Sequence, residues 1–392
     1  MIRIPTSEFK ERISKLREHM AKNSIDAMLV YGDEYRKENL RYVSNYWPIF
    51  ERGGLLFGAS GEPILLCAPE GEQMAKEMSI WSDVRLVPDF LAVTVPDEID
   101  YPHAKLTNFK KLADELRSKG KLDKLGVIGI NDMSESLMKN LRESFKCEVV
   151  DANFIIYEMR IKKSENEIAC LREAARIAEK GYMAMMAADI IGKTELYAVG
   201  IAEGVIRQEG AETIIFSVFG SGDRTATIVG RPTEKIIEHG DMIMCSMAVQ
   251  YQGYVATFEI PYAVGNYSEK TKRVIDVLVE ANEVGRPYLK AGVPMKEFVK
   301  AIRNHFRKEG LEKYDVYPPL HGSGCAEAES PYPHENTEAV FEAGMTVNTD
   351  ISLFGLEGGS NRIEEVFVIR EDGAETLCPK IQEYCKKWIE GK

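Results

Sequence analysis

The chain has 392 residues, 44% hydrophobic and 29% charged, with 62 acidic against 50 basic side chains and a net charge of −12. That composition supports a sizeable core spread over two domains. The acidic balance excludes nucleic acid as a partner, because phosphate binding draws on an excess of Lys and Arg.

Residues 7–23 place Ile13, Leu16 and Met20 at helical spacing and predict an amphipathic helix. This charged start lacks the apolar centre of a secretion signal, and the seven cysteines (67, 147, 170, 245, 325, 378, 385) are scattered without a CxxC pair. Both features lead to the expectation of a reduced, cytoplasmic protein. No apolar run is long enough to span a bilayer, so no membrane association is expected. IDAMLVYG (25–32) reads as a buried strand, and GGLLFGAS with PILLCAP as a strand pair split by a turn at SGEP. Helical stretches near 70–79, 104–119 and 133–145 alternate with VRLVP, KLGVIG and CEVVDA, the rhythm of an α/β domain over residues 1–155.

A second, α+β domain is expected over residues 156–392. Ser164 followed by Glu167 predicts a capping box at the start of a long helix, with Ile168, Leu171, Ala175 and Ala178 along one face. Helices are predicted at 194–209, 268–290 and 296–309, strands near 214–219 and 242–249, and a strand-rich last third. Gly240 leads a strand toward Ser246, and Gly344 leads one toward Asp350 over the same spacing. The echo suggests either a duplicated half-domain or two unrelated Gly-led strands.

The candidate chemistry lies on these strands. HGSGCAEAESPY sets His321 in a Gly-flanked turn, Asp350 interrupts the apolar VNTDISLF, and Glu364 shares a strand face with Arg362 in NRIEEVFVI. One His and two carboxylates from three strands could ligate Fe(II), Mn(II) or Zn(II); equally, each acid could be satisfied by Arg362 or a Lys. In YVATFEIPY, Thr257 and Glu259 leave one face, and the apolar neighbours of Glu259 predict a desolvated carboxylate suited to base or nucleophile work. No Lys or Arg lies near it in sequence, so its cation is expected from a substrate. GSGDRT lacks the GK[ST] ending of a phosphate loop, and Cys245 and Cys325 read as packing residues.

These residues carry a resemblance that covers nearly the whole chain. GD before an apolar strand and YQGY, the HGSG turn with Glu329 and Pro331 downstream (like HGxG…HExP), AGM before the Asp350 strand, and NRIEEVFVIREDG (like GxRIED…V…DG) resemble the pita-bread family of methionine aminopeptidase, proline-specific aminopeptidase, prolidase and creatinase. The resemblance implies a creatinase/prolidase-type α/β domain at 1–155 and an α+β pita-bread catalytic domain at 156–392. It also implies ligand positions. Ser246 and Thr257 stand where the metalloenzymes place two aspartates, His321 and Glu364 match a histidine and a glutamate, and Asp350 replaces a second glutamate. Two further catalytic histidines align with Val229 and Ala328. Without the aspartates a dinuclear centre has no scaffold, and the usual peptidase chemistry is not expected.

Creatinase resembles this chain in lacking both aspartates and in keeping an acid where Glu259 stands. Its Phe-x-Arg, which reaches a neighbouring subunit's site, matches Phe50 and Arg52 in FERGG and implies a homodimer with shared sites. Its catalytic histidine aligns with Val229 and a substrate arginine with Tyr332, so creatinase itself is not expected. The expected function is a metal-free, creatinase-like hydrolase of a non-peptide C–N bond (amidine, guanidine or cyclic amide) in a small polar carboxylate-bearing substrate, with no cofactor. Glu259, His321, Asp350 and Glu364 form the expected catalytic set, and Phe50, Arg52, Tyr254, Glu329 and Arg362 the substrate-binding set. One alternative keeps a single divalent ion on His321, Asp350, Glu364 and Glu259 in an Xaa-Pro dipeptidase- or aminopeptidase-like hydrolase. Another keeps the cleft as a non-catalytic binding module.

Overall fold

In the computed structural model, which describes residues 2–91 and 100–391, the chain divides into one unit of Ile4–Arg160 and another of Ile161–Lys392 together with Met1–Arg3. The apolar runs of the first unit become β1 (Ala27–Asp33), β2 (Arg52–Gly58), β3 (Ile64–Cys67), β4 (Asp83–Leu86), β5 (Lys124–Ile128) and β6 (Glu148–Asp151). They form one sheet in the order β4-β3-β2-β1-β5-β6. Strand β1 is central, antiparallel to β2 and parallel to β5. It is buried along all but its last residue, as a strand covered on both faces must be. The helices are α1 (Thr6–Lys22), α2 (Glu38–Ser44), α3 (Glu72–Met78), α4 (Phe109–Lys119), α5 (Glu135–Phe145) and α6 (Asn153–Ile161). Helices α2 and α6 were not predicted, because they bury polar side chains and so blur the apolar period: Arg160 of α6 donates to Asn39 Oδ1 of α2 at 2.6 Å.

The second unit begins with α7 (Glu165–Ala187) at the expected capping box: Ser164 Oγ accepts from Glu167 N at 3.2 Å, and the Glu167 carboxylate accepts from Ser164 N at 2.8 Å. Ile168, Leu171, Ala175 and Ala178 are all buried. There follow α8 (Glu195–Gln208), β7 (Thr213–Ser221), β8 (Met242–Tyr251), β9 (Tyr254–Phe258) and β10 (Tyr262–Ala263). Then come α9 (Glu269–Gly285), α10 (Met295–Lys308), β11 (Leu320–Gly322), β12 (Thr346–Leu353), β13 (Asn361–Arg370), β14 (Gly373–Thr376) and α11 (Pro379–Glu390). Helix α9 stops short of the predicted 290, because Pro287 has no N–H to continue the ladder and the chain tightens into a single 3-10 turn.

Two half-sheets result, β10-β8-β7 with β9 paired to β8, and β11-β12-β13-β14. Helix α7 packs on β8 and β9, and α9 packs on β12 and β13. The order of two helices followed by four strands therefore occurs twice. Gly240 and Gly344, with φ of 89° and 88°, turn the chain into β8 and β12 through the left-handed region that favours glycine. The echo is a duplicated half-domain. Just beyond β9, Glu259 and Glu364 exchange backbone hydrogen bonds of 3.2 Å each, joining the half-sheets. Among the described residues, no helix is long and apolar enough to cross a membrane.

Candidate active site

That junction places the acids. The antiparallel pairing of β12 and β13 sets Asp350 opposite Glu364 and Ser352 opposite Arg362. The period-2 geometry of β13 brings Arg362 and Glu364 to one face. The Arg362 guanidinium then reaches three carboxyls: Nε lies 3.0 Å from Glu259 Oε2, and Nη1 lies 3.1 Å from Glu364 Oε1 and 3.6 Å from Asp350 Oδ1. Its Nη2 donates to the Ile228 carbonyl at 2.8 Å. The expectation that Glu259 meets only a substrate cation is thus corrected. Its cation comes from the chain itself, far off in sequence but brought alongside by the Glu259–Glu364 bridge.

Burial pushes the Glu259 carboxyl well above the usual range, against the pull of Arg362 and with the added push of Glu364 and Asp350. Burial likewise raises Asp350, and the neighbouring Glu364 raises it further. For Arg362 burial opposes the charge, but Glu364, Glu259 and Asp350 outweigh it and hold the guanidinium protonated. One permanent cation serves three carboxyls, and retained protons neutralise much of the rest.

The two positions expected to match aspartates carry donors. Ser246 Oγ on β8 donates to Glu364 Oε2 at 2.9 Å. Thr257 Oγ1 on β9 donates to Glu327 Oε1 at 3.2 Å. Glu327 was not among the predicted residues, yet the same oxygen lies 3.6 Å from His321 Nε2. Burial raises the Glu327 carboxyl, with His321 pulling partly the other way. The His321 Nδ1–H donates to the Gly322 carbonyl at 2.8 Å, which leaves Nε2 as the accepting nitrogen. Asn348, opposite His321 in the β11–β12 register, donates to Nε2 at 3.3 Å. A cavity of about 700 Å³ has Phe216, Val218, Tyr317 and Tyr332 among its walls, and His321, Glu327, Asp350, Arg362 and Glu364 line it together with Ser217 and Arg231. Val229 and Ala328 also line it.

Other predicted residues are directed elsewhere. Glu259 is fully buried and does not line the cavity, so Arg362 meets its carboxylate where attack on a substrate was expected. Tyr254 donates to Glu167 Oε1 at 2.9 Å and ties β9 to the start of α7 rather than facing a ligand. Glu329 is paired with Lys163 at 2.7 Å, with both side chains nearly sealed. Phe50 and Arg52 belong to the amino-terminal unit. Phe50 is exposed, and its backbone N donates to Glu34; Arg52 opens β2 and donates to the Leu91 carbonyl at 2.8 Å.

The donor set does not fit a pair of metal ions. A dinuclear site needs bridging carboxylates, and here two hydroxyls donate in their place while a guanidinium already sits among the remaining acids. The single-ion set of His321, Asp350, Glu364 and Glu259 is not gathered either, since His321 Nε2 meets Glu327 and Asn348 while Glu259 meets Arg362. Among the described residues, the group of three ligating side chains whose donor atoms all lie within 4.8 Å of one another is Glu280, His305 and Glu309, outside the cleft.

Residues 169–371 match the metallopeptidase family M24, and residues 12–162 match the creatinase/prolidase N-terminal domain. The Xaa-Pro dipeptidase of Pyrococcus horikoshii is 29% identical over 369 residues, covering 94% of this chain and 96% of that protein. The Xaa-Pro dipeptidase of Pyrococcus furiosus is 27% identical over 371 residues, covering 94% and 97%. The crystal structure of the prolidase from Pyrococcus horikoshii OT3 aligns with a TM-score of 0.79 at 26% identity, over 94% of this chain and 98% of that one. The expectation of a creatinase-like hydrolase of a non-peptide C–N bond is corrected by these relatives, which are Xaa-Pro dipeptidases over their full length. Missing ligands suggested creatinase, but a lost side chain records only what a site has given up, not the substrate it handles.

Proposed function

Because the chain belongs to metallopeptidase family M24, we propose that it is a hydrolase of short peptides of the Xaa-Pro kind, working at His321 and Glu327 without a dinuclear metal centre. The observation that carries this reading is the His321–Glu327 pair, 3.6 Å apart in a cleft of about 700 Å³. That volume suits a small ligand, and the walls formed by Phe216, Val218, Tyr317 and Tyr332 suit a prolyl ring. Asp350 and Glu364 line the same cleft and offer oxygens that can accept from the amino end of a dipeptide.

The chemistry follows from the proton inventory. His321 Nε2, the accepting nitrogen, takes a proton from a water that attacks the peptide carbonyl. Arg362, which lines the same cleft, supplies positive charge toward the developing oxyanion. Glu327, whose carboxyl burial raises, donates in its protonated form to the departing prolyl nitrogen, which cannot leave as an amide anion. The proton on His321 then returns to Glu327 across the short gap, and the pair is reset.

A panel of Xaa-Pro and non-Pro dipeptides, followed by chromatographic release of amino acids, tests this. Xaa-Pro hydrolysis is expected, falling by roughly a hundredfold or more in His321→Ala and in Glu327→Gln. Absence of both hydrolysis and saturable binding overturns the reading. The hydroxyls at Ser246 and Thr257 favour a second reading, peptide binding without turnover; saturable binding with no product would select it.

A further inference from the structure

We propose that Glu280, His305 and Glu309 form a binding site for one divalent transition-metal ion, Zn2+ by its donor set, which clamps helices α9 and α10 outside the cleft. The site stands independently of the peptidase reading. His305 and Glu309 are four residues apart and share a face at the carboxy-terminal end of α10. Glu280 comes from α9, which packs against α10. The three donor atoms lie within 4.8 Å of one another. Ligand atoms around one tetrahedral Zn2+ lie roughly 3.4 Å apart, so small rotamer adjustments close the set.

The imidazole is the telling member. The His305 side chain is only 8% exposed, and its Nε2 is shielded from solvent with no hydrogen-bond partner among the described residues. Glu280 Oε2 is 3.9 Å from it, too far for a hydrogen bond. A buried ring nitrogen left without a partner is costly, and a metal ion held between it and two carboxylates removes that cost. Glu280 is 38% exposed and gives the ion a route from solvent. Glu309 is paired with Arg273 of α9, whose side chain is about half exposed and can swing away as the ion enters. Arg273 is therefore the competitor of the metal for Glu309. Three protein ligands leave the fourth position to water.

Calorimetric titration of Zn2+ into the full-length protein, stripped with chelator and desalted, tests the site, with thermal unfolding as a second readout. The expected result is one ion per chain and a rise in Tm. Both should be lost in His305→Ala and His305→Gln, kept in the cleft variant His321→Ala, and strengthened in Arg273→Ala because Glu309 is released. The Gln variant guards against a folding defect in the Ala variant. Unchanged binding in both His305 variants, loss of binding in His321→Ala, or no binding by the wild type overturns the proposal.

Discussion

Arg362 stands among Glu259, Asp350 and Glu364, and the competition between burial and that single guanidinium sets the protonation of the cluster. Glu259 is the clearest case, because its carboxyl is fully buried and raised by desolvation. On unfolding it returns to an ordinary value near 4.5 and ionises above that pH, so the native state holds the extra proton and stability falls as pH rises. Glu259→Gln keeps the shape and has no proton to lose. It is expected to be more stable than wild type near pH 8 and to lose that advantage toward pH 4, read by thermal unfolding at both. A gap independent of pH would show that the Glu259 carboxyl titrates alike in the native and unfolded states and would overturn the raised value. Arg362→Met removes the shared cation and is expected to cost roughly 3–5 kcal/mol in urea unfolding, with part recovered when Glu259→Gln is added. The vacated positions at Ser246 and Thr257 were legible residue by residue. Glu327 was not, because its link to Thr257 and His321 depends on a loop crossing between strands, and nothing in CAEAES marks which acid turns inward.

Strand β13 also carries Glu365, which faces the opposite way from Glu364 and anchors other elements. Its carboxylate accepts from Thr376 Oγ1 at 2.5 Å, from Gln382 Nε2 of α11 at 2.5 and 2.6 Å, and from Asn282 Nδ2 of α9 at 3.3 Å. Burial pushes this acid up to about 7. Its contribution is full below the ordinary carboxylate value and is lost as pH rises through about 7. Amide exchange in Pro379–Glu390 is therefore expected to accelerate between pH 5 and pH 8 beyond its intrinsic pH dependence, relative to β12 and β13. Glu365→Gln should remove that excess; equal acceleration in the variant would detach α11 from Glu365. The long amphipathic elements were legible from their period and caps, α7 above all. Helix α11 escaped because a short carboxy-terminal helix after several strands offers few buried positions to set a period.

At the scale of the molecule, the duplicated half-domain brings β8 with β9 and β12 with β13 together at one junction, so among the described residues the polar groups of the cleft come from the second unit. A scaffold of this kind keeps its cleft even when ligand side chains change, since strand pairing and helix packing do not depend on them. The hydroxyls of Ser246 and Thr257 then lead to a prediction about metal. Exhaustive chelation should leave Xaa-Pro turnover unchanged, and emission spectroscopy should find fewer than two ions per chain. Two tightly held ions, lost together with activity, would overturn the metal-free reading of the cleft.

Periodicity and caps indicated the two-part architecture from the sequence alone, and the HGSG, AGM and NRIEEVFVIREDG motifs carried the pita-bread resemblance, because those signals are local in the chain. The resemblance implied that Ser246 and Thr257 stand in place of two aspartates, and a hydroxyl lacks the charge and second oxygen of a carboxylate. Only the tertiary structure decided where Glu259 finds its cation and which acid meets His321. Arg362 lies far from Glu259 along the chain, and Glu327 reaches the imidazole only after the β11–β12 pairing and the loop beyond it are in place. Electrostatic partnership depends on distance and burial in space, and a linear sequence carries neither.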